Sequence, residues 1–214
     1  MGEITKIEVQ KKNKQRANVF IDGEFVCGLS CETVVLRRLK PGSEISSADL
    51  KDAVTEDEKK RALTDLFKVL SRKRLTEKQA KEYLEKKIYI PEAIEYAAER
   101  GKEYGYINDA DYAAQYISVY GQKSGVLKLK HDLQGKGVDK NIIADLLDGA
   151  DDAQVAFRLL EKHLKGGSIT DMKTKNKAMR FLLSKGCTYA SVKAAFEKIS
   201  ADSDGEFDEE NGDY

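Results

Sequence analysis

The sequence predicts a mainly α fold: a tandem, elongated and curved array of three three-helix units behind a small N-terminal β-rich unit. The first observation behind this is a repeat with a period of 49 residues. Leu84, Leu133 and Leu182 stand 49 apart, and each is followed three residues later by Lys87, Lys136 and Lys185. The same step carries Ala80 to Leu129 and Ala178, Tyr89 to Val138 and Cys187, and Ile94 to Ile143 and Val192. It also carries Ala97 to Leu146 and Ala195, and Ala98 to Leu147 and Phe196. A fixed period marks one supersecondary unit used again and again, and such arrays work by lying along another macromolecule. The second observation is composition: 214 residues, 41% apolar and 35% charged, suit thin helical layers with much solvated surface. The third is a change of apolar period, from two in the first 30 residues to the helical one after residue 55.

The elements follow in order. Residues 4–9 alternate in character, and the polar Lys11–Arg16 stretch makes a turn. Asn18–Ile21 and Glu24–Leu29 flank Asp22-Gly23, a hairpin signal because a type I′ turn needs positive φ at both central residues. A three-strand meander is expected. Thr33–Leu39 reads as a short helix ending before Lys40-Pro41-Gly42, and Ser47–Val54 as another, which closes a β-rich unit over residues 1–54.

Repeat one spans residues 55–106. Thr55 with Glu58, and Thr76 with Gln79, have capping-box spacing. Leu63, Leu66, Phe67 and Leu70 share a face of its first helix. Pro91 suits the first turn of its third helix. Repeat two spans residues 107–149. Ser124-Gly125 opens its second helix, Gly137 ends that helix as a left-handed cap, and Asp139 caps the next. Repeat three spans residues 150–200, with a first helix over Asp151–Lys165, a five-residue insertion at Gly166–Thr170, a second cap glycine at Gly186 and Thr188 capping the last helix. Helices this short cannot hide their apolar stripes alone, so each trio packs on itself.

A formal net charge of zero hides an asymmetry. Residues 201–214 carry seven acids and no base, and without them 37 bases face 30 acids. That acidic tail cannot bury enough apolar surface to fold alone, so disorder is expected there. The basic body favours a polyanion or an acidic protein surface. Cys27, Cys31 and Cys187 form too sparse a set for a disulfide framework, and His131 and His163 lie too far from them in sequence to suggest zinc. No phosphate loop or nucleophile elbow is present. No catalytic set, metal or cofactor is therefore expected. No apolar run approaches the ~18 residues of a membrane span, and no signal peptide is seen, which points to the cytoplasm; a monomer is expected.

Function then falls to surface charge. Lys68, Arg72, Lys73 and Arg74 gather at the end of the first helix of repeat one. Lys123, Lys128 and Lys130 flank the second helix of repeat two. Lys173, Lys175, Lys177 and Arg180 begin the second helix of repeat three, and Lys173, Lys177 and Arg180 share a face at spacings of three and four. Tyr104, Tyr106, Tyr116 and Tyr120 add candidate contact area. Tandem helix-turn-helix-like DNA binding is the alternative reading, although no copy offers an Arg, Asn and Gln set for reading bases.

At this point the residues resemble a known family, the bacterial regulatory protein RecX, over about residues 4–200. The stretch Glu103-Tyr-Gly-Tyr-Ile-Asn-Asp-Ala-Asp-Tyr-Ala-Ala-Gln-Tyr-Ile117 is similar to that family's Gly-Tyr-(Leu/Ile)-Asp-Asp…(Phe/Tyr)-Ala segment, with Asn108 where Asp is more usual. Ser124–Val138 and Ala178–Tyr189 resemble its two later Lys-Gly helix ends. The resemblance implies three tandem three-helix units and, in longer members, an N-terminal β segment. It also implies a modulator that binds the groove of the RecA–single-stranded DNA filament. Such a modulator inhibits strand exchange, nucleotide hydrolysis and the co-protease activity that triggers the SOS response in DNA repair.

Overall fold

The structure, a computed structural model, describes residues 1–165, 169 and 171–205. It divides into two compact units, Met1–Ile107 and Asn108–Tyr214.

The first unit begins with a hairpin-rich sheet. β1 (Gly2–Val9), β2 (Arg16–Ile21) and β3 (Glu24–Ser30) form the antiparallel meander, and the Asp22-Gly23 turn takes φ of 51° and 89°. A fourth strand, β4 (Glu44–Ile45), pairs with β1 and gives the order β3-β2-β1-β4. Its two residues are too short to leave a period-two signature, so no local pattern announces it. Between β3 and β4 lies α1 (Cys31–Leu36), capped by the Ser30 hydroxyl, which accepts from the Thr33 amide.

The largest departure from expectation is α2 (Ser47–Leu70). It is one 24-residue helix in place of two. Its cap is Ser46, whose side chain accepts from the Asp49 amide, and Thr55 lies in its interior. No Gly or Pro occurs between residues 47 and 70, so nothing stops a helix once it starts, and a capping-box pattern inside such a run has no effect. Glu58 instead accepts from the Ile90 amide at 3.0 Å, just ahead of Pro91. The expected boundary at residues 54/55 therefore falls inside a helix. Ala53 of α2 packs in the sheet core with Ile4, Val19, Leu29 and Ile45, while Ala62 and Leu66 pack with the helices that follow.

Those helices are α3 (Glu77–Glu85) and α4 (Pro91–Glu103). The Thr76–Gln79 capping box forms on α3, and Pro91 is in the first turn of α4. Leu75, Ala80, Leu84, Ala93, Ile94, Ala97 and Ile107 complete this core.

The second unit holds two more trios. α5 (Asp109–Tyr120), α6 (Val126–Gly135) and α7 (Lys140–Leu147) enclose Ala113, Leu133, Val138 and Ile143. α8 (Asp152–Leu164), α9 (Met172–Ser184) and α10 (Tyr189–Gly205) enclose Ala156, Leu160, Ala178, Leu182, Cys187, Val192 and Phe196. Leu84, Leu133 and Leu182 are each fully buried, so the 49-residue period is the period of the core. Leu146 is the exception, 38% exposed on the short α7. α10 continues to Gly205, so the first residues of the acidic segment extend a helix; the tail expected beyond it, and most of the Gly166–Thr170 insertion, lie outside the described residues.

Candidate basic interface

The repeat determines where cations end up. Lys87, Lys136 and Lys185 close the second helix of each trio, where the negative end of the helix dipole favours a cation. Each ammonium sits over a ring of its own trio: Lys87 over Tyr83 at 5.3 Å, Lys136 over Tyr116 at 5.2 Å, Lys185 over Phe181 at 5.3 Å. The lysine that repeats most faithfully thus works within the fold, holding the helix end onto an aromatic neighbour.

In the first unit most cations are similarly occupied. Lys87 donates to Asp65 at 2.8 Å, and the Tyr89 hydroxyl donates to the same carboxylate at 2.9 Å. Burial alone would raise the Asp65 carboxyl. The Lys87 and Tyr89 hydrogen bonds, with the Lys68 charge nearby, outweigh it and hold the group below the usual carboxylate range. Lys81 bridges Glu77 at 3.0 Å and Glu95 at 2.6 Å, and Lys102 reaches Glu77 at 3.0 Å. A cleft of about 390 Å³ between the sheet and α2 is lined by Arg16, Lys60, Arg61 and Lys68. Its charges are met internally: Lys60 pairs with Glu32 at 3.1 Å, Lys68 with Asp65 at 3.7 Å, and Arg61 lies 5.5 Å from the Tyr89 ring centre. Buried Asp57 takes Arg16 at 3.6 Å and accepts from the Ser30 amide and the Thr33 hydroxyl, each at 2.8 Å. Arg72, Lys73 and Arg74 differ. They are exposed in the connection between α2 and α3, with no ion-pair partner among the described residues.

In the second unit the balance reverses. Lys123, in the turn before α6, and Lys130 are exposed and without an ion-pair partner among the described residues, whereas Lys128 lies 3.6 Å from Asp132. On α9, Lys173, Lys177 and Arg180 are all exposed on one face, and none has an ion-pair partner among the described residues. Lys175, two residues out of step, is turned toward α10, 5.8 Å from the Phe196 ring centre. Three cations at spacings of three and four on an exposed helix present a row of donors to an acidic surface or a phosphate backbone.

The basic elements of α6 and α9 are fixed to each other by backbone. The start of α6 meets the end of α9: the Gly125 amide donates to the Lys185 carbonyl at 2.8 Å and the Leu127 amide to the Gly186 carbonyl at 3.0 Å. One helix's unsatisfied amides thereby meet another's unsatisfied carbonyls. Gly125 and Gly186 allow this approach. A Cβ on Gly125 would lie 2.3 Å from the Gly186 carbonyl oxygen, and one on Gly186, at φ +81°, would lie 2.4 Å from the Lys128 amide nitrogen. Asp152, nearly buried, completes the joint by accepting from the Val126 amide at 3.0 Å and the Thr188 amide at 2.7 Å. Local spacing marks Gly186 as a helix cap and does not mark Asp152 at all. Only the contact across two trios reveals their second role.

The tyrosines split by environment. Tyr112, Tyr116 and Tyr120 stack along α5, with Tyr116–Tyr120 centroids 4.4 Å apart. The Tyr116 hydroxyl donates to Asp132, and burial together with that bond pushes its pKa up to about 12. Tyr104 and Tyr106 stay more than half exposed and pack edge-on against Phe67. Burial, with Asp152 adding, pushes the Cys187 thiol up to about 11, so it stays protonated at neutral pH. Among the described residues no group of His, Cys, Asp or Glu is placed to hold a metal, and no helix is long and apolar enough to cross a membrane.

Comparison with known proteins adds a family to this geometry. The model described as "Regulatory protein RecX N-terminal domain" matches residues 2–46. The chain is 35% identical to the "Regulatory protein RecX" of Clostridium botulinum (strain Alaska E43 / Type E3) over 199 residues, covering 90% of this chain and 94% of that one. It is likewise 35% identical to that of Clostridium perfringens (strain SM101 / Type A) over 206 residues, covering 94% and 97%. Among solved structures, "Crystal structure of regulatory protein RecX" matches with a TM-score of 0.65 at 23% identity, covering 94% of this chain and all of that one.

Proposed function

The chain belongs to the RecX family of regulatory proteins, and we propose that it binds the RecA–single-stranded DNA filament along its groove, across neighbouring subunits, and restrains its recombinase, ATPase and co-protease activities. The observation that carries this reading is the exposed row Lys173, Lys177 and Arg180 on α9, which has no ion-pair partner among the described residues. Desolvating a cation that already has a carboxylate partner returns little. A solvated cation facing a new anion gains Coulomb energy and fixes orientation. Lys123 before α6 and Lys130 on it, and Arg72, Lys73 and Arg74 of the first unit, extend the same logic, while Lys68 and Lys128 contribute less because each shares a carboxylate. Several weak contacts on successive trios add through effective concentration. In this reading the protein works as a cytoplasmic monomer that acts by binding, without catalysis of its own, and any DNA contact is to phosphate and independent of sequence.

The test is DNA-dependent ATP hydrolysis by RecA on single-stranded DNA. The chain is expected to slow hydrolysis at or below one copy per RecA, and charge reversal at Lys173, Lys177 and Arg180 to abolish the effect while the helical signal is kept. Unchanged hydrolysis across that range contradicts the proposal. Tight, sequence-selective binding to duplex DNA without RecA favours the tandem helix-turn-helix reading instead.

A further inference from the structure

Helical spacing gathers a mixed apolar and basic face on each of the last two helices. Lys175 and Met179 stand four apart on α9, and Tyr189, Lys193 and Phe196 follow one another on α10 at steps of four and three. α10 packs along α8 and meets α9 over only a short stretch. A groove of about 490 Å³ remains between α9 and α10, lined by Lys175 and Met179 on one side and by Tyr189, Lys193, Phe196 and Glu197 on the other. Phe196 forms its floor and is 7% exposed, while the Tyr189 ring stands open at 66%. Lys175 overhangs the Phe196 ring at 5.8 Å and has no carboxylate partner among the described residues. Lys193 pairs with Glu197, one turn on, at 3.7 Å, but both side chains are about two-thirds exposed or more. An exposed pair of this kind holds loosely and yields to another carboxylate.

We propose that this groove is a docking site for an extended acidic segment of a protein partner, with one aromatic or large aliphatic anchor. The lining selects that chemistry. A phosphate backbone would meet the lysines and leave Met179 and Tyr189 in water. A purely apolar segment would desolvate the lysines with nothing in return. The one ring on the floor is already covered by Lys175, so a nucleic-acid base has no platform inside the groove. Acids on either side of an apolar residue satisfy both parts of the lining.

The dimensions agree. From Tyr189 to Ser200, the length of the groove along α10, is about 16 Å at a rise of ~1.5 Å per residue, the span of about five extended residues at ~3.3 Å each. Successive side chains of an extended chain point to opposite sides, so an anchor set into the groove brings its neighbours to the rim, where the two ammonium groups are. The flexible Met179 thioether adapts to anchors of different shape, and the acids then decide which segments bind. At 100° per residue Lys175 and Met179 lie on the far side of α9 from Lys173, Lys177 and Arg180. The groove is therefore a second surface, and the proposal stands whatever the basic row binds.

The probe is a fluorescein-labelled hexapeptide, Asp-Glu-Phe-Asp-Glu-Gly, titrated with the full chain and read by fluorescence anisotropy. Saturable binding of one peptide per chain is expected. Exchanging the peptide's Phe for Ala should weaken it at least about tenfold, as should Met179→Glu, or Lys175→Glu with Lys193→Glu, in the protein. Met179→Leu keeps an apolar wall and should bind like the unmodified chain. So should Lys140→Glu with Lys162→Glu, which makes the same change of charge at exposed positions outside the groove. Circular dichroism checks that the helices remain in every variant. Absence of saturation overturns the proposal, as does affinity indifferent to the anchor. Equal weakening by the two charge-reversed pairs also overturns it, because the attraction is then diffuse. A single-stranded oligonucleotide that binds more tightly than the peptide, and is lost with the same groove substitutions, makes this a nucleic-acid site instead. Self-association in sedimentation that the groove substitutions abolish places a second copy there, which equally contradicts the proposal.

Discussion

In the α2–α4 trio, Lys81, Lys87 and Lys102 each lie within about 3 Å of a carboxylate, and Asp65 and Glu77 each serve two or more donors. In the α8–α10 trio, built on the same 49-residue frame, Lys173, Lys177 and Arg180 face solvent with no such partner among the described residues. With the acidic residues 201–214 set aside, the two units do not differ much in charge. Residues 1–107 hold 22 bases and 19 acids, and residues 108–200 hold 15 and 11. The difference is in where the acids sit. Cations with a carboxylate partner hold helices together; cations without one are available to something else. Net charge, which the sequence displays, is therefore a poorer guide to an interface than pairing, which it does not.

The comparison can be broken first at the joint of the second unit. Gly125→Ala and Gly186→Ala each place a Cβ within 2.4 Å of backbone atoms, and Gly186 also has positive φ. Each should cost roughly 3 kcal/mol or more in chemical denaturation, from overpacking against backbone and, at Gly186, left-handed strain as well. Gly105→Ala, at positive φ with open space around it, should cost only about 1 kcal/mol. Equal losses would mean that the contact between α6 and α9 does not hold the two trios together.

Acid distinguishes the units next. Asp65 and Glu77 are both held below their ordinary values, because hydrogen bonds from lysines and, at Asp65, Tyr89 outweigh the effect of burial. A carboxylate lowered on folding adds stability that is fully present above its unfolded pKa and is lost as pH falls through the folded one. Between about pH 4.5 and pH 3, hydrogen exchange in α2–α4 should accelerate more than in α8–α10. Parallel acceleration in both would show that the ion pairs of the first unit contribute nothing.

The smallest effect concerns a departure between copies. Gly137 and Gly186 end their helices at φ of 89° and 81°, but the residue in that place in the first trio is Ile88, at φ 61° and 89% exposed. Ile88→Gly removes left-handed strain from a β-branched residue and gives up almost no burial. It should stabilise the first unit by about 1 kcal/mol. A loss of stability would show that Ile88 makes contacts worth more than its strain.

These cases show what was legible in the sequence. Core positions were, because Leu84, Leu133 and Leu182 must be apolar wherever a trio closes. Caps were too: Asp139, Thr188 and the Thr76–Gln79 box act on residues two or three away, which is within reach of a local pattern. The 54/55 boundary failed because a cap pattern says where a helix can start and nothing about whether one is already running. Asp57, Asp152 and β4 were illegible for another reason. Asp57 meets Ser30, 27 residues away, and Asp152 meets Thr188, 36 residues away, separations that no single window contains. In the candidate interface the cluster on α9 was visible as spacing. That Lys68 and Lys128 are partnered, and that Lys175 turns to α10, depends on neighbours the sequence does not name.

The central claim is that unpaired cations, not cations in general, engage the filament. Two variants with the same loss of charge test it: Lys173→Gln, Lys177→Gln, Arg180→Gln in one, and Lys60→Gln, Lys81→Gln, Lys102→Gln in the other. Binding to RecA filaments on single-stranded DNA is measured for both at one salt concentration. The account predicts that the first loses affinity at least about tenfold, near 1.4 kcal/mol, while the second binds like the unmodified chain. Equal weakening of both, or weakening of the second alone, would contradict it.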